Sequence, residues 1–286
     1  MSSGEGAFIY LPVTVGASAE IGPPPGTYQR RVVFRHAVEG ANVLVTDDGF
    51  VGVTGQGHET AVRIVNAILA TALTWGLPSQ VVNDPNREFC GFREMASDTI
   101  HLGTVNGPSG RNAVSMGRDN EFENWRVYQR FPVTLDQMRE IVERATDYLR
   151  RPEIMEDLIL LAQGWSLMFD QRAAKASFLY HWMIIEAMLD RAWDEYTGSL
   201  ERTGDERDNL RNTRNWTSYH YAEVLAQVGR MPDAARARLD GLRKVRNEVV
   251  HDRRNPSSEE VAACVNTAKR LILNRVQDRG LFEGVT

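Results

Sequence analysis

Arg246, Asn247 and His251 are the side chains of this 286-residue chain whose types and spacing best suit chemistry. They stand in the run Val245-Arg246-Asn247-Glu248-Val249-Val250-His251-Asp252. An imidazole, with an unperturbed pKa of about 6.5, gives and takes protons near neutral pH. A guanidinium presents a planar fork of N–H donors to anionic oxygens. A carboxamide can hold a neighbouring ring or a ligand oxygen in place. On a helix Asn247 and His251, four apart, share a face, and Arg246 lies about 100° round from Asn247. Near a helix end the long Arg246 side chain can swing towards the imidazole. The same residues also fit a purely structural role. Basic groups near a helix C-terminus interact favourably with its dipole, a terminal His can cap carbonyls, and Arg246 can pair with Glu248 or Asp252.

Other candidates carry less. Arg214-Asn215 is followed by His220, one residue too far, with Tyr219 where the His would stand. It also straddles an expected loop–helix junction, and it is read as coincidence. Gly55-x-Gly57 has Thr60 at the third glycine of a dinucleotide fingerprint, and no Lys-Ser/Thr pair of a phosphate loop follows. A tight strand-to-helix turn is the simpler reading. His58-Glu59 lacks the second His of a metalloprotease helix. His181 and His220 sit in apolar helical sequence and read as packed side chains. Asp205, Glu206 and Asp208 read as a solvated loop cluster. Cys90 and Cys264 are far apart and form no metal-ligand pair or disulfide framework, Cys264 reading as a core thiol. No metal and no cofactor are expected.

The elements that position these residues fall into two groups. Segments 8–15 and 28–38, rich in β-branched and aromatic residues, predict strands, separated by the Gly-Pro-Pro-Pro-Gly run at 22–26. Segments 42–46 and 50–54 predict a hairpin turned by Asp47-Asp48-Gly49. A helix is expected over 58–75, stopped by Gly76 and Pro78, then a long loop over 103–123 and a last strand over 125–131. The character changes at Pro132. Thr134-x-x-Gln137 is a capping box for a helix to about residue 150, and Pro152 opens a helical region to about 193, broken near Asp170. An exposed loop is expected over 196–215 and a helix over 216–228, ended by Gly229. The next helix follows Pro232 and carries Ala235, Leu239, Leu242, Val245 and Val249 in one stripe. The last starts at Ser257-x-x-Glu260 and carries Val261, Val265, Ala268, Ile272 and Val276. The expected class is α+β, a strand-rich mixed domain over 1–131 followed by a helical bundle over 132–286. The triplet then sits at the polar edge of the penultimate helix, at its C-terminal end.

This arrangement resembles the HEPN (higher eukaryotes and prokaryotes nucleotide-binding) superfamily, whose pattern is Arg, a polar residue that is often Asn, three variable residues and His. Arg246, Asn247 and His251 match all three positions, Pro256 follows in a short connection, and an amphipathic last helix packs back. Segment 178–193 resembles the family's apolar early helix, with Glu186 as an isolated acid, and the resemblance spans roughly residues 150–280. It implies an all-helical HEPN bundle that cleaves RNA without metal. RNA carries its own nucleophile, the 2′-hydroxyl, beside each phosphodiester. His251 would be the general acid or base, Arg246 the charge stabiliser and Asn247 the positioning group. A homodimer with both motifs at the interface is implied, with Glu186 either supporting that site or simply a buried, hydrogen-bonded acid. Arg243, Lys244, Arg253 and Arg254 flank the motif as a candidate RNA-backbone patch. Bacterial toxin and abortive-infection systems against phage supply the implied setting, with an antitoxin or defence protein as a further partner. The alternative is a non-catalytic module that dimerises or binds a nucleotide or protein.

Composition bounds both readings. The chain is 42% hydrophobic and 25% charged, as ordinary soluble globular proteins are. Its net charge of −5 excludes a generic polyanion binder, so any nucleic-acid contact must come from a local basic patch. No apolar run approaches the roughly 18 residues of a membrane span, and residues 1–7 do not resemble a signal peptide. A cytoplasmic protein with no membrane partner is expected.

Overall fold

The computed structural model describes residues 7–11, 13–15, 32–47, 49–55, 57–77, 90–94, 100–105, 131–169, 173–200 and 217–286. These residues are α+β, and the chain divides into two compact units, Met1–Ala162 and Gln163–Thr286.

In the first unit β1 (Ala7–Tyr10), β3 (Val32–Val38), β4 (Ala41–Thr46) and β5 (Phe50–Thr54) form an antiparallel sheet in the order β1-β5-β4-β3. The predicted β4–β5 hairpin is present. Its Gly49 has φ +80°, and a Cβ there would lie 2.5 Å from the Leu11 carbonyl oxygen, so glycine is demanded twice over. The single strand expected over 8–15 is two. β1 pairs with β5, whereas β2 (Val13–Val15) pairs in parallel with β8 (Phe131–Val133). Pro12, between them in sequence, has no N–H with which to continue a ladder. Strands β6 (Cys90–Glu94) and β7 (Ile100–Val105) pair antiparallel, so residues 103–105 are strand where a loop was expected. The runs 22–26 and 106–130, with the rest of that loop and most of the last predicted strand, lie outside the described residues.

Helix α1 (His58–Thr74) packs against β1 and β5 and is buried on nearly every side from Ala61 to Leu73, as a core helix must be. Gly76, with φ +85°, closes it while Leu77 N–H returns to the Ala72 carbonyl. Gly55, with φ +92°, makes the strand-to-helix turn before α1. Helix α2 (Leu135–Leu149) starts in the predicted box, Thr134 and Gln137 each accepting from the other's backbone N–H. It packs on α1 and buries Met138, Ile141, Val142 and Ala145. Strands give way to helices at residue 134, as expected, but the compact unit runs on to Ala162 because α2 belongs to it. The boundary expected at 131/132 therefore marks a change of element type, and the division itself falls inside α3 (Pro152–Phe169).

The second unit is helical. Helix α4 (Ala174–Gly198) packs along α7 (Ser258–Val276), and α5 (Ser218–Gln227) and α6 (Asp233–His251) lie against it. Its core includes Phe178, Trp182, Ile185, Leu189, Leu225, Leu239, Leu242, Val265, Leu271 and Ile272. Each such side chain stabilises the fold by about 1.5–3 kcal/mol on burial. Trp193 stacks on Tyr221 with ring centroids 4.9 Å apart. His181 is fully buried, its Nδ1 2.6 Å from the Ser177 carbonyl oxygen, and a Cβ at Gly164 would lie 2.6 Å from its ring. Cys264 is a buried core thiol, as expected, and burial pushes its ionisation up. Residues 196–198 continue α4 where a loop was expected, and the loop's residues 201–215, with Asp205, Glu206 and Asp208, lie outside the described residues. Unforeseen in sequence, Phe282 and Val285 of the last segment are buried, held by Asn274 Nδ2 donating to the Leu281 and Glu283 carbonyls at 2.9 and 2.7 Å. No described helix is long and apolar enough to cross a membrane.

Candidate functional site at the end of helix α6

His251 is the last residue of α6, and the turn after it is fixed from both sides. Asp252 N–H and Arg254 N–H both donate to the Glu248 carbonyl, at 3.0 and 3.3 Å, and Arg253 between them takes the left-handed φ of +58°. The Arg254 guanidinium then ties the two helices together. Its Nε lies 2.8 Å from Glu248 Oε2, and its Nη1 and Nη2 donate to the two Glu260 carboxylate oxygens at 2.9 Å each. Glu260 also accepts from Ser257 N–H at 2.7 Å, so the predicted capping box of α7 and this clamp share one carboxylate. Arg254 and the Ser257 N–H hold the Glu260 carboxyl below the usual range, Arg254 most strongly.

Within the triplet, Arg246 Nη1 donates to Asn247 Oδ1 at 3.2 Å. Among the described residues, no hydrogen bond joins either of them to His251. Arg246 is half-buried because it lies only about 60° round the helix from the core residue Val249. Val245 is half-buried too, so the α6 core face is Ala235, Leu239, Leu242 and Val249 rather than the full expected stripe. His251 is exposed, as is the intervening Val250, whose relative exposure is 41%. Arg246 pairs with neither Glu248 nor Asp252; Glu248 is engaged by Arg254. The arrangement is therefore a guanidinium held by its neighbour's carboxamide, with an exposed imidazole about one turn further on, at the C-terminal end of the helix.

The four flanking cations separate. Arg243 donates from Nε and Nη2 to Asp240 Oδ1 at 3.1 and 2.8 Å, and its guanidinium carbon lies 4.8 Å over the Tyr219 ring. Lys244 Nζ lies 2.8 Å from Asp240 Oδ2. The Lys244 hydrogen bond, aided by Arg243 and opposed by burial, holds the Asp240 carboxyl below the usual range. Arg254 is engaged by Glu248 and Glu260. Only Arg253 is exposed and, among the described residues, without an ion pair. The expected patch is thus largely neutralised within the chain, since each of the other three cations has an acid within reach.

Glu186 is half-buried on α4 and is not isolated. Glu186, Asp190 and Asp194 follow at four-residue spacing, and burial, then Glu186 and Asp194, push the Asp190 carboxyl up. Among the described residues no hydrogen bond or ion pair joins Glu186 to the triplet. His220 corrects the expectation of a packed side chain: it is exposed, and its Nδ1 accepts the Thr217 N–H at 3.2 Å to cap α5. Sequence reading missed Asp240 and Tyr219. The first was detectable, because an acid three and four residues before Arg243 and Lys244 on a helix pairs with both. Among the described residues no group of three or more His, Cys, Asp or Glu side chains is placed to hold a metal ion. Comparison with family models, with curated proteins and with solved structures gives no match to this chain.

Proposed function

We propose that the helical half of this protein is a HEPN-type ribonuclease, in which Arg246, Asn247 and His251 act on RNA without a metal ion. The observation that supports it most is the 3.2 Å Arg246–Asn247 hydrogen bond about one turn before an exposed His251, the last residue of α6. The ribose 2′-hydroxyl attacks the adjacent phosphorus, the bond to the 5′-oxygen breaks, and the products are a 2′,3′-cyclic phosphate and a 5′-hydroxyl. One proton leaves the 2′-oxygen and one reaches the departing 5′-oxygen; the imidazole carries one of these transfers. Arg246 braces the extra charge on the non-bridging oxygens, and Asn247 keeps its guanidinium in place. The active form is a homodimer in which two copies of the helix end meet. A role in defence against phage, restrained by an antitoxin or a defence protein, fits such an activity.

A second reading, a dimerising or ligand-binding module without catalysis, is favoured by the internal pairing of Arg243, Lys244 and Arg254. Incubating total RNA with wild type, Arg246→Ala and His251→Ala separates the two. The ribonuclease reading expects cleavage by wild type alone, with His251→Ala within about 0.5 kcal/mol of wild-type stability, as surface substitutions are, and the half-buried Arg246→Ala still cooperatively folded. RNA left whole by pure, dimeric wild type supports the binding module instead.

A further inference from the structure

The connection after the triplet, residues 252–257, is held at more points than a turn between two helices requires. Pro256 is buried, Arg253 is fixed in the left-handed region, and every nitrogen of the Arg254 guanidinium is engaged inside the chain. Besides its bond to Glu260, Nη1 donates to the Asn255 carbonyl at 3.3 Å, and Nε is buried. Arg254 closes the stretch 248–254 twice. Its backbone N–H reaches the Glu248 carbonyl at 3.3 Å, and its Nε lies 2.8 Å from the Glu248 carboxylate. His251 is the middle residue of that stretch. Its imidazole is exposed, and among the described residues no hydrogen bond or ion pair holds it. The backbone of this turn therefore sets where the imidazole stands. Helix ends fray, because their last carbonyls lack partners within the helix, so something must hold the turn. Two carboxylates against one guanidinium also make the clamp net negative, which repels a phosphate rather than holding it.

We infer that Arg254 is a positioning residue of the proposed reaction, which fixes the turn presenting His251 and makes no contact with RNA. The inference rests on the ribonuclease reading for its reaction. It takes Arg254 out of the candidate RNA-backbone patch and gives it a role through His251. A reacting group must stand within about 0.5 Å of its productive place, and residues that touch no substrate supply that precision. The Glu248 and Glu260 carboxylates are the two anchors, one on each helix.

The test compares full-length wild type, Arg254→Ala, Arg254→Lys and Glu248→Ala. On a cleavable oligoribonucleotide each variant should lose kcat by about tenfold or more while KM holds, since misplacement by about 1 Å can cost about a hundredfold. Binding is read on the same strand carrying 2′-O-methyl groups throughout, which removes the nucleophile. Arg254→Ala should keep the wild-type slope of log K against log salt, which loss of a phosphate contact would reduce by about 0.7. Lysine keeps the charge but not the planar fork, so a phosphate contact would survive in Arg254→Lys and the clamp would not. Amide hydrogen exchange reads the turn without any activity. Arg254→Ala should speed exchange at the amides of residues 252 and 254, both bonded to the Glu248 carbonyl, while those of Leu239 and Leu242 stay protected. An Arg254→Ala defect confined to KM, wild-type kcat in Arg254→Lys, or exchange unchanged at both amides overturns the assignment. So does exchange that is faster throughout α6, which would make Arg254 a general stabiliser. RNA left whole by wild type, with exchange faster only around the turn in Arg254→Ala, removes the ribonuclease and upholds Arg254 as the support of the His251 turn.

Discussion

Arg253 holds a backbone conformation that costs an L-residue about 1–2 kcal/mol, because its Cβ crowds the neighbouring carbonyl. It occupies the position just past α6 where glycine is the usual resident, with φ +58° and an exposed side chain two residues beyond His251. A strained arginine beside a candidate site is explained if its side chain works on the substrate. Arg253→Gly should then raise folding stability by about 0.5–1 kcal/mol in urea denaturation. The same change should weaken binding of non-cleavable RNA and reduce the slope of log K against log salt by about 0.7, the share of one phosphate on a single strand. A variant that is stabilised yet binds RNA with the wild-type salt slope would remove Arg253 from the site. The triplet itself was legible because its spacing is local to one helix. What was not legible is the pairing inside it: the Arg246 guanidinium lies against Asn247 rather than the imidazole.

Helices α6 and α7 are joined by the Glu248–Arg254–Glu260 clamp, which also fixes the turn carrying His251. Because the Glu260 carboxyl is held below its ordinary range in the folded state, it contributes stability that is present above that range and lost as pH falls through the depressed value. Asp240 acts in the same direction. Urea unfolding followed from neutral to acid pH should show Glu260→Gln less stable at neutral pH, with the gap to wild type closing in acid. Parallel curves for the two proteins would mean that the clamp contributes nothing. The boxes at Thr134 and Ser257 were readable because each is a contact between residues three apart. The cap on α5 was hidden because His220 stands where Glu or Gln is usual. The switch of partner between β1 and β2, and the docking of Phe282 and Val285, depend on residues far away in sequence that no local period encodes.

At the scale of the molecule, the change from strands to helices was visible in sequence, but the division into units was not, because α2 packs with the sheet unit. The proposed assembly places a second copy against the end of α6, where Val250 is exposed between Asn247 and His251. Val250→Asp should dissociate the dimer and abolish cleavage without changing the helical circular dichroism. Light scattering that finds wild type monomeric at micromolar concentration, or Val250→Asp still dimeric and active, argues against that arrangement. The claim on which all of this depends is that the substrate supplies the nucleophile, and one substrate pair tests it directly. An oligoribonucleotide and its copy with a single 2′-deoxy substitution at the scissile nucleotide are incubated with wild type in EDTA. The account predicts that the first is cut to a 2′,3′-cyclic phosphate and a 5′-hydroxyl, and that the second stays whole. Cleavage of the 2′-deoxy strand at a comparable rate, or activity lost in EDTA and restored by magnesium, would contradict it.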